Sequence, residues 1–551
     1  MMIKKIAFIL IFLVFQYSFS QNALTETQKL AATCKVWGFL KYYHPKVANG
    51  EKNWDKQLFE ILPKIEQAKT KAEFSLVIEN WIDSLGDVNK IEAIIQPKTV
   101  EYFSKNFNLS WIDKNKLFSK NLSKKLKFIE NNRFHGEQYY IKYDYEKNYP
   151  LEIINEIKYP DFKWDNENSR ILTLFRYWNL VEYYFPYKYM MDQKWDATLT
   201  EMLPRFINIT SELDLHVAIK ELVVKLDDTH ATFGTNKLFE RFGDKFIPAG
   251  IKIVEEKVII TSLHNDSLAK ISDLRINDII TKVEGKTIKQ IINKNQKYVE
   301  GSNLFAKFKN FYWAIFNGNT NTVKIEFVRD GKTAVKTIKR YLYQDLKIKF
   351  KEKEKFKLLE NNTGYVDMGF IEVDDIPTMM NQFKDTKAIV FDIRNYPNET
   401  LYAISEYLNP EPKEYIKFIY PDLSYPGKYI WTESDKCGKK NENYYKGKVV
   451  ILINEETMSQ AEQTAMCFQV APHATIIGSQ TAAADGNNFK FEVIKGFRSS
   501  FTGIGVFYPD RKETQRIGII PDIKVRPTIL GITQGKDEVL DRAIKFIKTG
   551  K

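Results

Sequence analysis

Ser459 closes the run Val449-Val450-Ile451-Leu452-Ile453-Asn454-Glu455-Glu456-Thr457-Met458 and opens the helix-favouring Gln460-Ala461-Glu462. An apolar β-branched run ending in a short polar turn predicts a buried strand, with the hydroxyl at its carboxyl edge and at the start of a helix. N–H groups in a first helical turn lack intrahelical partners, and the helix dipole favours negative charge there. A serine so placed could attack a carbonyl while the helix holds the oxyanion. Serine is also a favoured helix N-cap, and the segment taken alone favours the cap.

A nucleophilic serine needs a base, and an internal duplication bears on which residue that is. Trp37, Tyr42, Tyr43, Pro45, Trp54, Asp55, Leu58, Leu62 and Pro63 recur as Trp178, Tyr183, Tyr184, Pro186, Trp195, Asp196, Leu199, Leu203 and Pro204, all at one offset (178 − 37 = 141). A constant offset without gaps predicts one structure used twice, over 36–87 and 177–228, each a helix, a Pro-containing turn and a second helix. At their ends the copies diverge: Leu85-Gly86-Asp87-Val88-Asn89 corresponds to Leu226-Asp227-Asp228-Thr229-His230. The scaffold therefore exists without the histidine, which raises the functional weight of His230 against a merely structural role. Of the other five, His44 has Phe185 as its counterpart, His216 falls inside a helix, and His135 and His264 fall in loops. His473, beyond the Ser459 helix, is the fallback base.

Several function classes are excluded or demoted. The three cysteines, Cys34, Cys437 and Cys467, are widely spaced and form no metal-ligand pattern or disulfide framework. No Walker loop, dinucleotide glycine fingerprint or Cys/His cluster occurs, so no metal or other cofactor is expected. The net charge of +12 comes from lysines interspersed with acids, as in Lys351-Glu352-Lys353-Glu354-Lys355, a solvated surface more than a nucleic-acid stripe. Residues 1–20 combine Lys4 and Lys5, an apolar run from Ile6 to Phe15, and Ser18 and Ser20 before Gln21, the pattern of a signal peptide. Export to a periplasmic or extracellular location is expected, with no transmembrane segment after cleavage.

Between 246 and 341 the pattern shifts to short strands. Pro248-Ala249-Gly250-Ile251, Val258-Ile259-Ile260-Thr261 and Leu274-Arg275-Ile276-Asn277-Asp278-Ile279-Ile280 resemble a PDZ domain, with Asp273-Leu274 and Asn277-Asp278 replacing two of its glycines. PDZ modules add a peptide to a sheet edge and hold its terminal carboxylate on backbone N–H groups, which implies Gly250 and Ile251 as substrate-binding residues and a protein tail as ligand. From 345 to 545 strand and helix alternate through Gly364–Phe370, Ala388–Arg394, Leu401–Ile404, the Ser459 segment and Ala474–Gly478, an α/β layout with parallel strands.

Taken in order, Asp228-Thr229-His230-Ala231-Thr232, the PDZ-like middle, Asp392-Ile393-Arg394, Thr457-Met458-Ser459-Gln460-Ala461-Glu462, Gly478-x-x-Thr481-Ala482 and Ile517-Gly518-Ile519-Ile520-Pro521-Asp522 resemble the S41 serine peptidases. These are the tail-specific or carboxyl-terminal processing proteases, and the nearest branch is that of the tricorn core protease. The resemblance covers most of the chain from about residue 170. It implies a multidomain α+β protein: a helical region with the duplication over 21–240, a PDZ-like β-rich domain over 246–341, and a crotonase-like or Clp-like α/β catalytic domain over 345–545. The processing-protease branch uses a lysine base, but the corresponding stretch Thr481-Ala482-Ala483-Ala484-Asp485-Gly486 has none. The tricorn-like branch uses a Ser/Thr-His pair, matched by Thr229-His230, and an acid whose place is taken by Gln515, whose carbonyl would accept from the imidazole. The implied oxyanion donors are Gln460 and the loop after Arg394, where Pro397 has no N–H and leaves Tyr396 or Asn398. The expected activity is an exported serine endopeptidase acting on unfolded or carboxyl-terminal protein segments. A catalytically weak peptide-binding or envelope scaffold protein of the same fold is the alternative.

Overall fold

The computed structural model describes residues 24–92, 99–144, 149–348 and 354–551. The expected signal peptide lies outside these residues. No helix among them is long and apolar enough to cross a membrane.

The duplicated helices pack as two copies about a local twofold axis. Helix Glu26–Tyr43 and helix Trp54–Gln67 form the first pair, Glu167–Tyr184 and Trp195–Ile207 the second. Within each pair two tryptophans exchange hydrogen bonds: the Trp37 indole donates to the Trp54 carbonyl at 3.4 Å and the Trp54 indole to the Trp37 carbonyl at 3.1 Å, and Trp178 and Trp195 do the same at 3.1 and 3.0 Å. These bonds satisfy the one donor that a buried indole carries. Between pairs the contacts are reciprocal. Lys35 reaches Asp196 of the other copy at 2.7 Å, and its equivalent Arg176 (35 + 141) pairs with Asp55. Tyr42 and its equivalent Tyr183 also meet each other, with their rings tilted at 58° and their centroids 4.9 Å apart.

At the crossing of the two long helices Gly38 faces its own equivalent, Asn179 (38 + 141). A Cβ on Gly38 would lie 1.7 Å from Asn179 Oδ1. The Asn179 amide is already held by the Cys34 and Phe175 carbonyls at 3.1 and 2.9 Å, so it cannot easily swing away. The helices approach this closely because one side chain is missing.

The second region is an antiparallel sheet in the order Lys332–Lys339, Thr322–Arg329, Ile279–Val283, Lys257–Leu263, Ala249–Val254. Its core holds Val258, Ile260, Ile280, Ile325 and Phe327. Asp273 and Asn277, which stand where the resembled motif has glycines, carry φ of 46° and 74°, so the backbone there takes the left-handed form that glycine would permit. Strand Ala249–Val254 is the sheet edge. Beside it helix Leu304–Asn310 and residues Glu455, Glu456 and Arg526 enclose a cleft of about 400 Å³.

The carboxyl-terminal region is built on a sheet in the order Phe356–Leu359, Thr363–Asp367, Ala388–Asp392, Lys448–Ile453, Ala474–Gly478, Ile523–Lys524. All neighbours are parallel except the first pair. The apolar runs read from the sequence are its central strands, and Ala388 through Asp392 and Val449 through Ile453 are wholly buried, as strands covered on both faces must be. Helix Gln460–Gln469 follows the central strand Lys448–Ile453.

Gly38→Ala should lower the unfolding free energy by about 1–3 kcal/mol through overpacking. Urea denaturation checks this, and the double variant Gly38→Ala/Asn179→Ala should recover part of the loss.

Candidate functional site

Strand Lys448–Ile453 leads into a turn locked by its own polar groups. Asn454 Oδ1 accepts from the Glu456 N–H at 2.8 Å, the Thr457 N–H donates to the Asn454 carbonyl at 3.0 Å, and the Thr457 hydroxyl donates to the Ile393 carbonyl at 2.7 Å. The turn delivers Ser459 at φ 55°, ψ −122°, a conformation that costs a non-glycine residue on the order of 1–3 kcal/mol. A serine on a strained strand-to-helix turn is the arrangement that exposes a nucleophilic hydroxyl above a parallel sheet. Gln460 occupies the first helical position, where N–H groups lack intrahelical partners.

The strain is held from below by Glu462. This carboxylate has no exposed surface and accepts from the Ser459 N–H at 3.2 Å, the Ala483 N–H at 2.9 Å, the Ala484 N–H at 3.0 Å and the Thr481 hydroxyl. The Ser459 N–H also donates to the Ala484 carbonyl at 3.1 Å. Asp485, equally buried, lies against Glu462. Burial, then the charge of Glu462, push the Asp485 carboxyl well above its ordinary range, so Asp485 keeps its proton while Glu462 serves as acceptor. Glu462 sits three residues after Ser459, a spacing familiar from capping boxes, and that was the available signal for it. Nothing in the sequence pattern pointed to Asp485.

His230 lies on the segment that leaves the helical region. After helix Glu212–Val224 the chain forms the short strand Thr232–Phe233, which pairs with strand Arg498–Thr502. The Ser500 hydroxyl donates to the His230 carbonyl at 2.7 Å and the Ser499 hydroxyl to the Thr232 carbonyl at 2.7 Å. Thr229 anchors the same segment. Its hydroxyl lies 3.0 Å from the Ala482 carbonyl and accepts from the Ser302 N–H at 2.9 Å. The loop 481–485 is thus bonded to the neighbour of His230 at Ala482 and to Ser459 at Ala484.

The imidazole is buried, and burial pushes its pKa below the ordinary value of 6.5 against the opposing pull of Asp228. Its Nδ1 lies 3.0 Å from Thr502 Oγ1, and that hydroxyl donates to Asp228 Oδ1 at 2.9 Å. Gln515 does not take the position expected of it. Its Nε2 donates to Asp228 Oδ1 at 3.0 Å, and Thr502, not the glutamine carbonyl, meets the ring. The reason is topological: the strand carrying Thr502 runs alongside the His230 segment and interposes its hydroxyl. Thr502 and the bonding role of Asp228 were invisible in the sequence because their partners are hundreds of residues away.

The remaining expected residues lie apart from one another. Asn398 is tied down by its side chain, whose amide donates to the Gly369 and Ile371 carbonyls at 3.4 and 3.3 Å, whereas Tyr396 is exposed. Both follow strand Ala388–Asp392, the immediate neighbour of the strand that leads to Ser459. Gly250 and Ile251 sit within the edge strand Ala249–Val254, and Ile251 lines the 400 Å³ cleft. Two ion pairs, Lys252–Glu455 at 3.3 Å and Lys309–Glu456 at 2.8 Å, join that cleft to the turn before Ser459. No group of three His, Cys, Asp or Glu side chains among the described residues could hold a metal ion.

Fold and site together define a multidomain helix-and-sheet protein whose carboxyl-terminal domain presents a serine on a strained turn at the end of a parallel strand. Residues 362–525 match the model of peptidase family S41, so this segment is similar to that family. A curated relative, the "Probable CtpA-like serine protease" of Staphylococcus haemolyticus (strain JCSC1435), is 24% identical over 326 residues, covering 56% of this chain and 59% of its own. This chain therefore spans less than two thirds of that relative. Among solved structures, mature CPAF complexed with lactacystin superposes with a TM-score of 0.54 at 12% identity, covering 69% of this chain and 98% of its own. Mature CPAF in a second structure gives 0.54 and 12%, with 69% and 97% covered.

A carboxyl group that stays protonated in the fold but ionises when unfolded lowers stability as pH rises from the unfolded pKa, about 3.9 for Asp, towards the folded one. Asp485→Asn removes that term. Its stability relative to the native chain should therefore increase as the pH rises above about 4, as read from urea midpoints at several pH values.

Proposed function

We propose that this chain is an exported serine endopeptidase that cleaves unfolded or carboxyl-terminal segments of proteins, with Ser459 as nucleophile and His230 as general base. The observation that carries the reading is the strained turn of Ser459, tied through the loop 481–485 to the segment that bears a buried histidine. His230 Nε2 takes the proton of the Ser459 hydroxyl as Oγ bonds to the peptide carbonyl carbon. The imidazolium then gives that proton to the leaving amine nitrogen as the C–N bond breaks. Water, deprotonated by the same nitrogen, attacks the acyl-enzyme, and Ser459 recovers its proton. The oxyanion rests on the Gln460 N–H in the first turn of the helix, with Tyr396 or Asn398 supplying the second donor.

The region 246–341 is read as a PDZ-like module, and the cleft along its edge strand is suited to an extended peptide, which would add to Ala249–Val254 by backbone bonding. Gly250 and Ile251 would meet the tail of the substrate. Export rests on the charged, apolar and small-residue pattern of residues 1–20.

A second reading, a catalytically weak peptide-binding protein of the same fold, is favoured by Gln515 in place of an acid and by Pro397, which has no N–H to give an oxyanion.

A fluorophosphonate probe separates the two. The native chain should be labelled and Ser459→Ala should not, while His230→Ala should lose at least about 1,000-fold in labelling rate with an unchanged circular dichroism spectrum. A folded native chain that resists the probe would favour the peptide-binding reading. For the cleft, Ile251→Glu should reduce kcat/KM on an unfolded protein ending in apolar residues at least about fivefold more than on a short internal peptide. Equal losses on both substrates would remove tail recognition.

A further inference from the structure

We infer that Asp228, acting through the hydroxyl of Thr502, is the carboxylate that orients His230 and steadies its charged form, in place of the residue at 515. The inference rests on His230 being the general base.

The hydrogen-bond directions follow from counting protons. Asp228 meets four donors: the Thr502 N–H at 2.7 Å, the Thr502 hydroxyl at 2.9 Å, Gln515 Nε2 at 3.0 Å and the His230 N–H at 3.2 Å. A hydroxyl has one proton. If Thr502 gave it to the imidazole, two bare oxygens would face each other at 2.9 Å. Thr502 therefore donates to Asp228 and accepts at 3.0 Å from His230 Nδ1, which must carry a hydrogen. That leaves a lone pair on Nε2, the tautomer required of a base facing a serine.

The same geometry accounts for Gln515. Its amide nitrogen donates to the very oxygen that receives the Thr502 proton. A glutamate there would place a second carboxylate about 3 Å from Asp228, and two such groups cannot both ionise. The glutamine is thus a neutral donor that helps hold Asp228 as an acceptor, and the negative charge sits one hydroxyl away from the ring. Asp228 and Thr502 are both buried, so this charge acts through a poorly screening medium. The Asp228 charge raises the imidazole pKa that burial lowers.

Asp228 and Thr502 are positioning residues, and the test must read more than activity. The rate constant of fluorophosphonate labelling is measured against pH for the native chain, Asp228→Asn, Thr502→Val and Thr502→Ser, with His230→Ala as reference. Asp228→Asn should label about 100-fold more slowly at neutral pH or worse. Its acid limb should move to lower pH, because removing the negative charge lowers the pKa of the ring further. Thr502→Val should slow labelling at least about 30-fold, and Thr502→Ser, which keeps the hydroxyl, should stay within about threefold of the native chain.

If Asp228→Asn labels within about threefold of the native chain with an unmoved acid limb, while His230→Ala does not label, the relay is wrong and the base assignment stands. If His230→Ala labels like the native chain, both fall. Should Asp228→Asn fail to fold, the Thr502 pair decides: equal labelling by the valine and serine variants overturns the inference.

Discussion

The buried carboxylate of Glu462 is the contact around which the site is organised. Removing a charge from water costs several kcal/mol unless donors replace the lost hydration, and here three N–H groups and one hydroxyl do so. Those donors come from two places, Ser459 and the loop 481–484. One carboxylate therefore fixes the backbone of the serine and the loop beside it in a single arrangement. Asp485, kept neutral by burial and by the charge of Glu462, completes the pair without a second negative charge.

That loop is also the meeting point of the three regions. The Ala482 carbonyl receives Thr229 from the helical region, and the Thr481 carbonyl receives the Asn303 amide at 2.8 Å from the region that carries the cleft. The Ala482 N–H donates to the Thr457 carbonyl at 2.9 Å, within the turn that precedes Ser459. Displacement of any one region would be felt at the serine turn. The ion pairs Lys252–Glu455 and Lys309–Glu456 add a second route, at partly exposed surface where such pairs contribute less.

The duplicated helices supply rigidity more than chemistry. Reciprocal tryptophan bonds, the Lys35–Asp196 and Arg176–Asp55 pairs and the Gly38–Asn179 crossing lock two copies into one body. Only the second copy continues into Asp228-Thr229-His230 and on into an edge strand of the carboxyl-terminal half. A histidine held by a strand pairing is more narrowly positioned than one on a free loop.

Much of this was legible along the chain. The constant offset of 141 exposed the duplication, because repeated burial of the same helix faces demands the same residues at the same spacing. The parallel strands declared themselves as β-branched runs covered on both faces. Ser459 stood out because a strand, a polar turn and a helix start are all local signals, and His230 because one copy lacked it. What the tertiary structure decided was who touches whom. Gln515 and Thr502 are 13 residues apart in sequence (515 − 502), yet the strand pairing puts the threonine against the ring and the glutamine against Asp228. The strain at Ser459 and the raised pKa of Asp485 beside Glu462 likewise arise from packing between distant segments. Hydrophobic periodicity encodes which face of each element is buried; it carries no record of which polar groups meet once those faces close, and the chemistry of this site is made of such meetings.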